Sequence, residues 1–365
     1  MAFTLPIYIE PDFSSNLFST AQRAKTQLCE QDGVAPDNFH STSIFPEYFL
    51  LSEGWILAEE TRMDCCVVVQ QDQTLSVIEP RYLMKGDRVI IGRTEDGSEG
   101  IYLHSNCFQG DGDYSSEAFS FRQGRSRETA YSRDYDNLYH LLEHEKICGN
   151  LLWVMGPALA FDYDSRRAMQ LLIENGFVDG LMAGNALATH DLEGGYLRTA
   201  LGQDIYTQRS MPNGHYNHMD TINAVRRSGS IAQFIEDNNI GDGIMYSLVK
   251  NSVPYVLAGS IRDDGPLPEV IHSVYDSASE MRNLIRKATT IICLATQLHS
   301  IATGNMTPVY RVVDNTVRPL YMYCIDITEF ATNKLCDRGS LGAIGMVTNV
   351  QDFIVNVAKG VGVLK

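Results

Sequence analysis

The sequence predicts an α/β protein in which a β-rich module precedes a domain built on a parallel sheet. Before about residue 110 the apolar segments are short and alternating, which is typical of antiparallel strands. After residue 150 continuous apolar runs alternate with segments of helical periodicity, as in βαβ units whose strands are buried on both faces. A chain of 365 residues is long enough for two domains. We therefore expect a β-rich domain over 1–110, a linker over 111–150 and a parallel-sheet domain over 151–365.

The β-rich module contains five strand-like segments, which are separated by turn sequences such as KGD and EDGSEG. These segments are Trp55–Ala58, Cys65–Val69, Leu75–Ile78, Arg88–Ile91 and Gly100–Leu103. The polar stretch 109–145 that follows is the predicted connection, and it ends in a short helix, Asp136–Glu145.

The second domain contains six apolar runs, which we predict to be parallel strands. They cover residues 151–156, 177–184, 253–259, 289–295, 320–326 and 343–348. Helical periodicity is found between them, at 165–176, 269–288 and 328–338.

Composition narrows the classes of function. The chain has 45 acidic and 29 basic residues, a formal charge of −16, which disfavours binding to nucleic acid or to an anionic membrane. It has no apolar run of membrane-spanning length, and its start lacks the pattern of a signal peptide, so we expect a cytoplasmic protein. The eight cysteines have no CxxC spacing, which indicates reduced, buried thiols.

The residues that follow the six apolar runs are the first candidates for a ligand site, because ligands bind outside the carboxyl ends of parallel strands. Most are glycines or small polar residues, which let a backbone approach a phosphate and offer donors to it. They are Gly156, Pro157, Gly184, Asn185, Ala186, Gly259, Ser260, the segment Thr296, Gln297, Leu298 and His299, and the pairs Asp326, Ile327 and Asn349, Val350. This pattern favours a dinucleotide site. The alternative is that polar residues simply end buried strands.

Of two further details, one argues against a dinucleotide site and one argues for it. The usual GxGxxG fingerprint is missing, since the first run exits through GPALAFDYDS with a single glycine. Asp326, at the end of a predicted strand, could accept both ribose hydroxyls and so favour NAD. Its alternative role is to cap the helix that follows.

The segment AGSIRDDGPLP (258–268) brings three charged residues into one loop after a buried strand. Arg262 could hold a carboxylate bidentately, and Asp263 or Asp264 could accept a proton or bind an ammonium group or a ribose hydroxyl. The alternative is a turn whose charges pair with each other.

Two histidine patterns could suggest a metal. The segment HLLEH, from His140 to His144, has the spacing of an inverted zincin, but its highly charged surroundings favour a solvated helix. The segment GHYNH places His215 and His218 three residues apart. Because no third ligand is evident, a general base or a hydrogen-bonding pair is favoured, and we expect no metal site.

Over nearly its whole length the sequence resembles the archaeal-type ornithine cyclodeaminases. The resemblance includes the conserved region of lysine-oxoglutarate reductase/saccharopine dehydrogenase (LOR/SDH) and the carboxyl-terminal part of cyanobacterial arginine dihydrolase/ornithine cyclodeaminase fusions. The segments that carry it are DGVAPDNFHSTSIFPEY (32–48), TRMDCCVVV (61–69), KGDRVIIG (85–92), GFVDGLMAGNALATHDLE (176–193), GHYNHMDTINAVRRSGSI (214–231), GIMYSLVKNSVPYVLAGSIRDDGPLPEVI (243–271), LATQLHSIATGNMTP (294–308) and CIDITEFATNKLCDRGSLGAIGMVTNV (324–350).

The resemblance implies a Rossmann-like domain similar to the NAD-binding domain of deoxyhypusine synthase, for which no GxGxxG turn is needed. It also implies the residues that contact NAD. These are Asn185, Ala186, Asp264, Thr296, Gln297, Leu298, His299, Asp326, Ile327, Asn349 and Val350.

The activity implied is the conversion of L-ornithine to L-proline and ammonia, with NAD accepting a hydride from the α-carbon and returning it to the ring imine. We expect Arg262 or Arg62 to bind the α-carboxylate and Asp64 or Asp263 to bind the δ-ammonium group. Proton transfer is expected from His190, His215 or Lys250. Arg62 and Asp64 belong to the β-rich module, so they would have to act across a domain cleft. Their alternative role is a charge pair at a strand start.

The chain departs from the family at AFDYD (160–164), where members generally have a His-Thr-Gly-like turn, and at IDITE and VTNV. Its tract 309–320 is also longer than expected. These departures leave two alternatives open: an NAD-dependent enzyme for another amino acid, such as a lysine cyclodeaminase or a dehydrogenase, and a non-catalytic NAD-bound sensor. By analogy with other parallel-sheet oxidoreductases we expect a homo-oligomer.

Overall fold

The computed structural model describes residues 3–109, 132–330, 333–334 and 343–365, and the structural statements below concern these residues. Most of the expected linker and most of the helix predicted at 328–338 lie outside them. The predicted domain boundaries at 110 and 150 stay a prediction.

The first part of the chain forms small antiparallel sheets, as its alternating pattern predicts. Its strands are β1 (Ile7–Tyr8), β2 (Lys25–Leu28), β3 (Glu47–Leu51), β4 (Gly54–Leu57), β5 (Cys66–Val69), β6 (Leu75–Ile78), β7 (Arg88–Ile91), β8 (Ile101–Leu103) and β9 (Phe108–Gln109). The main sheets have the orders β2-β7-β5-β6 and β4-β3-β8, and β1 pairs with β9. Phe49, Val67, Ile90 and Ile101 are fully buried between them, so alternate residues of these strands build one core.

The second part alternates strands and helices. Its strands are β10 (Leu151–Met155), β11 (Gly180–Gly184), β12 (Thr199–Ala200), β13 (Gln203–Asp204), β14 (Tyr255–Ala258), β15 (Thr290–Leu294), β16 (Tyr310–Val313), β17 (Thr316–Pro319), β18 (Tyr321–Asp326) and β19 (Ala343–Val347). Its helices are α1 (Ser132–Cys148), α2 (Tyr163–Glu174), α3 (Asn185–Leu197), α4 (Asn217–Ser228), α5 (Ile231–Asp237), α6 (Ile244–Lys250), α7 (Val274–Ile285), α8 (Gln297–Met306) and α9 (Val350–Gly360).

The six apolar runs predicted as strands form one parallel sheet with the order β14-β11-β10-β15-β18-β19. Counted along the chain, this order is 3-2-1-4-5-6, the arrangement of dinucleotide-binding Rossmann sheets, and it reverses between β10 and β15. Helices cover both faces. Along β10, Trp153 packs toward α1, α2 and α3, while Val154 packs toward α7 and α8. The predicted Rossmann-like parallel sheet is therefore confirmed.

Two helices differ from their predicted extents. Helix α7 begins at Val274 rather than residue 269, because the Ser273 side chain accepts a hydrogen bond from the Asp276 amide and caps it. Helix α1, which holds the HLLEH segment, is longer than predicted. It is not wholly solvated, because Leu138, Leu141 and Leu142 are buried against the sheet.

The longer tract 309–320 is a β-hairpin, β16–β17, that connects the two parts of the molecule. Its turn residues Asp314 and Asn315 have φ angles of 49° and 61°, as a tight hairpin turn requires. The Tyr310 hydroxyl donates to the Ala58 carbonyl, and the Val309 amide donates to the Ile44 carbonyl at 2.9 Å. The hairpin therefore packs against the β-rich module.

A buried ion pair fixes α3 relative to its neighbours. Arg166 on α2 is 3% exposed, and its Nε donates to Asp191 Oδ1 on α3 at 2.7 Å. The Asp191 carboxylate also accepts the amides of Ile244 and Met245, at 2.9 and 2.7 Å. Asp191 thus joins α2, α3 and the start of α6.

None of the helices in the described part of the chain combines the length and apolar character that a membrane crossing requires.

Candidate functional site

The candidate site is the edge of the parallel sheet at which its six strands end, called the carboxyl edge below. Because the strands are parallel, the residues that follow them lie at one side of the domain. Three helices also begin there: α3 directly after β11, α8 three residues after β15 and α9 three residues after β19.

Two of these helix starts lack a side-chain cap. Gly184 precedes α3 and Thr296 precedes α8, and at neither position does a side chain accept a hydrogen bond from the first-turn amides of the helix. The start of α9 differs, because Asn349 Oδ1 accepts the amides of Gln351 and Asp352 at 2.8 and 3.1 Å. First-turn amides without a cap are donors for an anion such as a phosphate. The amide oxygen of Asn349, by contrast, is already occupied.

The crevice where the strand order reverses is built on close backbone contacts. A Cβ at Gly156, after β10, would lie 2.0 Å from the carbonyl oxygen of Ala295, after β15. A Cβ at Gly184 would lie 3.3 Å from His299 Cε1. Glycine is therefore needed for the approach at position 156. Ala295 itself has a φ of 49°, an uncommon conformation for alanine.

His299 crosses this crevice from the first turn of α8. Burial lowers the pKa of its imidazole, which keeps the ring neutral. Its Nδ1 is buried and has no hydrogen-bond partner among the described residues. The unpartnered nitrogen, the two uncapped helix starts and the glycine contact together fit a dinucleotide at this edge.

The charged loop after β14 is tied to the same edge. Asn185 Oδ1, at the start of α3, accepts the Leu267 amide at 3.0 Å. Asp263 Oδ2 accepts the Ser260 amide at 2.8 Å, while Arg262 and Asp264 are exposed. Arg262 forms no ion pair within the described ranges. The loop is therefore not the internally paired turn considered as the alternative.

The structure brings all of the residues predicted to contact NAD to the carboxyl edge, and their contacts with NAD stay a prediction. Asp326 Oδ1 accepts the Thr328 amide at 3.1 Å, which is a local turn bond. The side chains of Gln297, Leu298 and Ile327 are exposed, Ala186 and Thr296 are half-buried, and Val350 is buried at the start of α9.

Two of the histidines come together beside this edge. His190, on the second turn of α3, is 9% exposed. Its ring centroid lies 5.3 Å from that of Phe161, in the divergent AFDYD segment, and 6.2 Å from that of His218 on α4. His215 is exposed and lies against Tyr216, with centroids 4.2 Å apart.

Sequence reasoning missed Glu193, which is fully buried beside His190. The distance between His190 Nδ1 and Glu193 Oε2 is 2.9 Å. The signal that could have found it is the spacing in HDLE, because residues three apart share one face of a helix.

Arg62, predicted to bind the α-carboxylate, is already paired in the structure, and its contact with the substrate stays a prediction. Its Nη1 pairs with Glu79 at 2.5 Å, and it faces Arg282 near the end of α7. Burial and the Arg62 charge lower the pKa of Arg282 to about 10. Asp64, two residues after Arg62, is exposed, and its contact with the δ-ammonium group stays a prediction. The partner of Arg62 is therefore Glu79 and not Asp64, with which the alternative would pair it.

Lys250, predicted to transfer protons, is not brought to the carboxyl edge. Lys250 is the last residue of α6, five residues before β14 begins, so it lies at the edge where the strands start. It is exposed, and its Nζ lies 5.2 Å from the centre of the Tyr246 ring.

Comparisons with a family model and with known proteins all point to the same family. Residues 138–357 match the family model described as "Arginine dihydrolase ArgZ-like, C-terminal, Rossmann fold". The ornithine cyclodeaminase of Methanocaldococcus jannaschii is 35% identical over 338 residues, 91% of this chain and 76% of that protein. That of Archaeoglobus fulgidus is 38% identical over 326 residues, 88% of this chain and 75% of that protein. The bifunctional arginine dihydrolase/ornithine cyclodeaminase ArgZ of Synechocystis sp. is 35% identical, and the match covers 90% of this chain but 45% of ArgZ.

Two solved structures agree with this. A LOR/SDH protein from Methanococcus maripaludis S2 superposes with a TM-score of 0.83 at 32% identity, covering 93% of this chain and 98% of that one. The ternary complex of AgrE with ornithine and NAD⁺ gives a TM-score of 0.58 at 31% identity, covering 93% of this chain and 46% of AgrE. The family resemblance stated from the sequence is confirmed.

Proposed function

Because the chain belongs to the ornithine cyclodeaminase family, we propose that it converts L-ornithine to L-proline and ammonia with NAD as its cofactor. The observation that carries this proposal is the carboxyl edge, where two uncapped helix starts flank the crevice at the reversal of strand order. A dinucleotide site is the chemistry that such an edge supports best.

Several residues of this edge would hold NAD. The first-turn amides of α3 and α8 would bind its phosphates, and Asp264 or Asp326 would accept ribose hydroxyls. His299 Nδ1, unpartnered among the described residues, would gain a partner. When bound, NAD supplies a hydride acceptor that is regenerated within the same turnover.

The substrate groups would be held by the loop after β14 and by the histidines next to it. Arg262, exposed and without an ion pair among the described residues, would bind the α-carboxylate. Asp263 would bind the δ-ammonium group, with the Ser260 amide orienting its carboxylate. His190 or His215 would carry protons.

The test is turnover of L-ornithine deuterated at the α-carbon, with NAD supplied in catalytic amount. We expect proline and ammonia in equal amounts, no accumulation of NADH, and deuterium retained at the α-carbon of proline. L-Lysine and L-arginine serve as comparison substrates. Stoichiometric NADH would identify a dehydrogenase instead, and bound NAD without turnover of any of the three would identify a sensor.

We further propose that the chain acts as a cytoplasmic homo-oligomer. The seven cysteines of the described residues are free and all but Cys148 are buried, which suits a reducing compartment. Light scattering of the purified chain measures the oligomeric state, and a monomer would contradict this proposal.

A further inference from the structure

Within the described part of the chain, the buried carboxylate of Glu193 has no counter-ion except a histidine. It is fully buried on α3, and its Oε2 lies 2.9 Å from His190 Nδ1. No described lysine or arginine pairs with it. A buried carboxylate is costly unless its oxygens are well bonded, so the donors around it decide its state.

The second oxygen of Glu193 is held by a chain of donors. Glu193 Oε1 accepts the Thr199 hydroxyl at 2.7 Å and the Gly202 amide at 3.3 Å. The Thr199 oxygen in turn accepts Asn217 Nδ2 at 2.8 Å. The Asn217 amide and the Gly202 amide can only donate, so every hydrogen bond in this chain points toward Glu193. Oε1 therefore acts only as an acceptor.

This arrangement determines the state of the imidazole. An ionised Glu193 accepts on Oε2 as well, which puts the hydrogen of a neutral His190 ring on Nδ1 and its lone pair on Nε2. The groups that face the ring from other elements are Phe161, which is apolar, and His218 on α4, with centroids 6.2 Å apart. His190 is held at the carboxyl edge by α3, whose next residue, Asp191, forms the buried ion pair with Arg166.

We propose that Glu193 is a positioning residue that makes Nε2 of His190 the proton-transfer atom of the site. The inference rests on the proposed function. Nε2 takes one proton from the α-ammonium group of ornithine before the α-carbon gives up its hydride to NAD. Asp263 takes one proton from the δ-ammonium group, and the resulting δ-amine attacks the α-carbon; the new ring nitrogen releases its second proton to solvent. Nε2 then returns its proton to the α-nitrogen, whose bond to the α-carbon breaks so that it leaves as ammonia, and Asp263 returns its proton to the ring nitrogen once the hydride is back on the α-carbon. The imidazole ends the turnover in the state in which it began.

The decisive variant is Glu193→Gln, because the donors at Oε1 dictate how the new amide turns. Thr199 and Gly202 both donate, so the glutamine oxygen stays with them and its NH₂ group faces His190. An NH₂ donor at Nδ1 moves the imidazole hydrogen to Nε2. The variant therefore inverts the tautomer and removes the lone pair that takes the proton.

Two measurements read this out. In the ¹⁵N NMR spectrum of the chain without cofactor or substrate, we expect neutral His190 to carry its hydrogen on Nδ1, and on Nε2 in Glu193→Gln. In ornithine turnover we expect kcat to fall about 10²-fold, as general acid–base catalysis implies, with KM and NAD affinity within about twofold. His190→Ala combined with Glu193→Gln should cost no more than His190→Ala alone, because the two residues act as a unit.

The matched control is Glu145→Gln, the same change at another fully buried carboxylate. Glu145 lies on α1 and pairs with Arg318, away from the carboxyl edge, so this variant should lose stability but keep the His190 tautomer and kcat. Hydrogen on Nε2 of the unmodified chain overturns the proposal whether or not Glu193→Gln folds. An unchanged kcat in a folded Glu193→Gln overturns it too. Failure of the unmodified chain to turn over ornithine would refute the proposed function alone, because the NMR result is independent of turnover.

Discussion

Gly156 shows how a single residue can determine whether the crevice exists. It follows β10, its amide donates to the Leu294 carbonyl at 2.8 Å, and any Cβ there would overlap the Ala295 carbonyl. The two strand ends on either side of the order reversal can approach only because position 156 has no side chain.

We expect Gly156→Ala to weaken NAD binding at least about tenfold, or about 1.4 kcal/mol. The added methyl group must push the Ala295 backbone away, which displaces the residues leading into α8. Isothermal titration with NAD measures the effect. Gly241→Ala is the matched control, because a Cβ there meets no atom within 4 Å. Equal affinity in both variants would show that the crevice does not hold NAD.

Individual residues also show what the sequence could and could not predict. The strand-end residues could be placed together from the sequence because parallel strands must end at one edge. Lys250 was misplaced although its position before a strand already assigns it to the opposite edge. Arg62 could not be placed from sequence, since its position depends on how the β-rich module packs on α7. The AFDYD segment gave no sign that Phe161 packs against His190.

At the scale of elements, the hairpin β16–β17 is the part that sequence patterns described least well. Its strands are short, and the alternation of apolar and polar residues along them is obscured because both faces of the hairpin are partly buried. Tyr310 packs toward the β-rich module, whereas Arg311 donates to the carbonyls of Ile285 and Ala288 at 2.6 and 3.2 Å. A pattern with two buried faces does not have the period that marks a surface hairpin. The six parallel strands were predictable because they are apolar throughout.

We expect Tyr310→Phe to lower the free energy of unfolding by about 1–2 kcal/mol, because it leaves the buried Ala58 carbonyl without its donor. Urea unfolding followed by circular dichroism measures this. Tyr82→Phe is the matched control: its hydroxyl also joins the β-rich module to the second part, through Ser279 at 2.6 Å, but at an exposed position. Its loss should cost less than about 0.5 kcal/mol. If the two variants lost similar amounts of unfolding free energy, burial of the Tyr310 hydrogen bond would not explain its contribution to stability.

At the scale of the whole molecule, two histidines with lowered pKa values predict how stability depends on pH. Burial lowers the pKa of both His104, in the β-rich module, and His299, at the carboxyl edge. In the unfolded chain both take up protons near their ordinary pKa of about 6.5, whereas the folded chain resists this. Below about pH 6.5 the unfolded state thus binds more protons, and the free energy of unfolding must fall as the pH falls.

Urea unfolding between pH 8 and pH 5 tests this expectation. We expect stability to decline below about pH 6.5, and His299→Gln to make the decline shallower. His215→Gln, at an exposed histidine, should leave the slope as it is. A slope that His299→Gln does not alter would mean that the imidazole gains its proton equally in both states.

The hairpin has one more consequence, for how the chain loses its structure. The hairpin is held at once by Ala58 and Ile44 of the β-rich module, by the last turn of α7, and by Glu145 of α1 through Arg318 at 2.5 Å. Unfolding of either the β-rich module or the parallel-sheet part would therefore remove contacts that hold the hairpin against the other part. The two halves should therefore melt in a single cooperative transition.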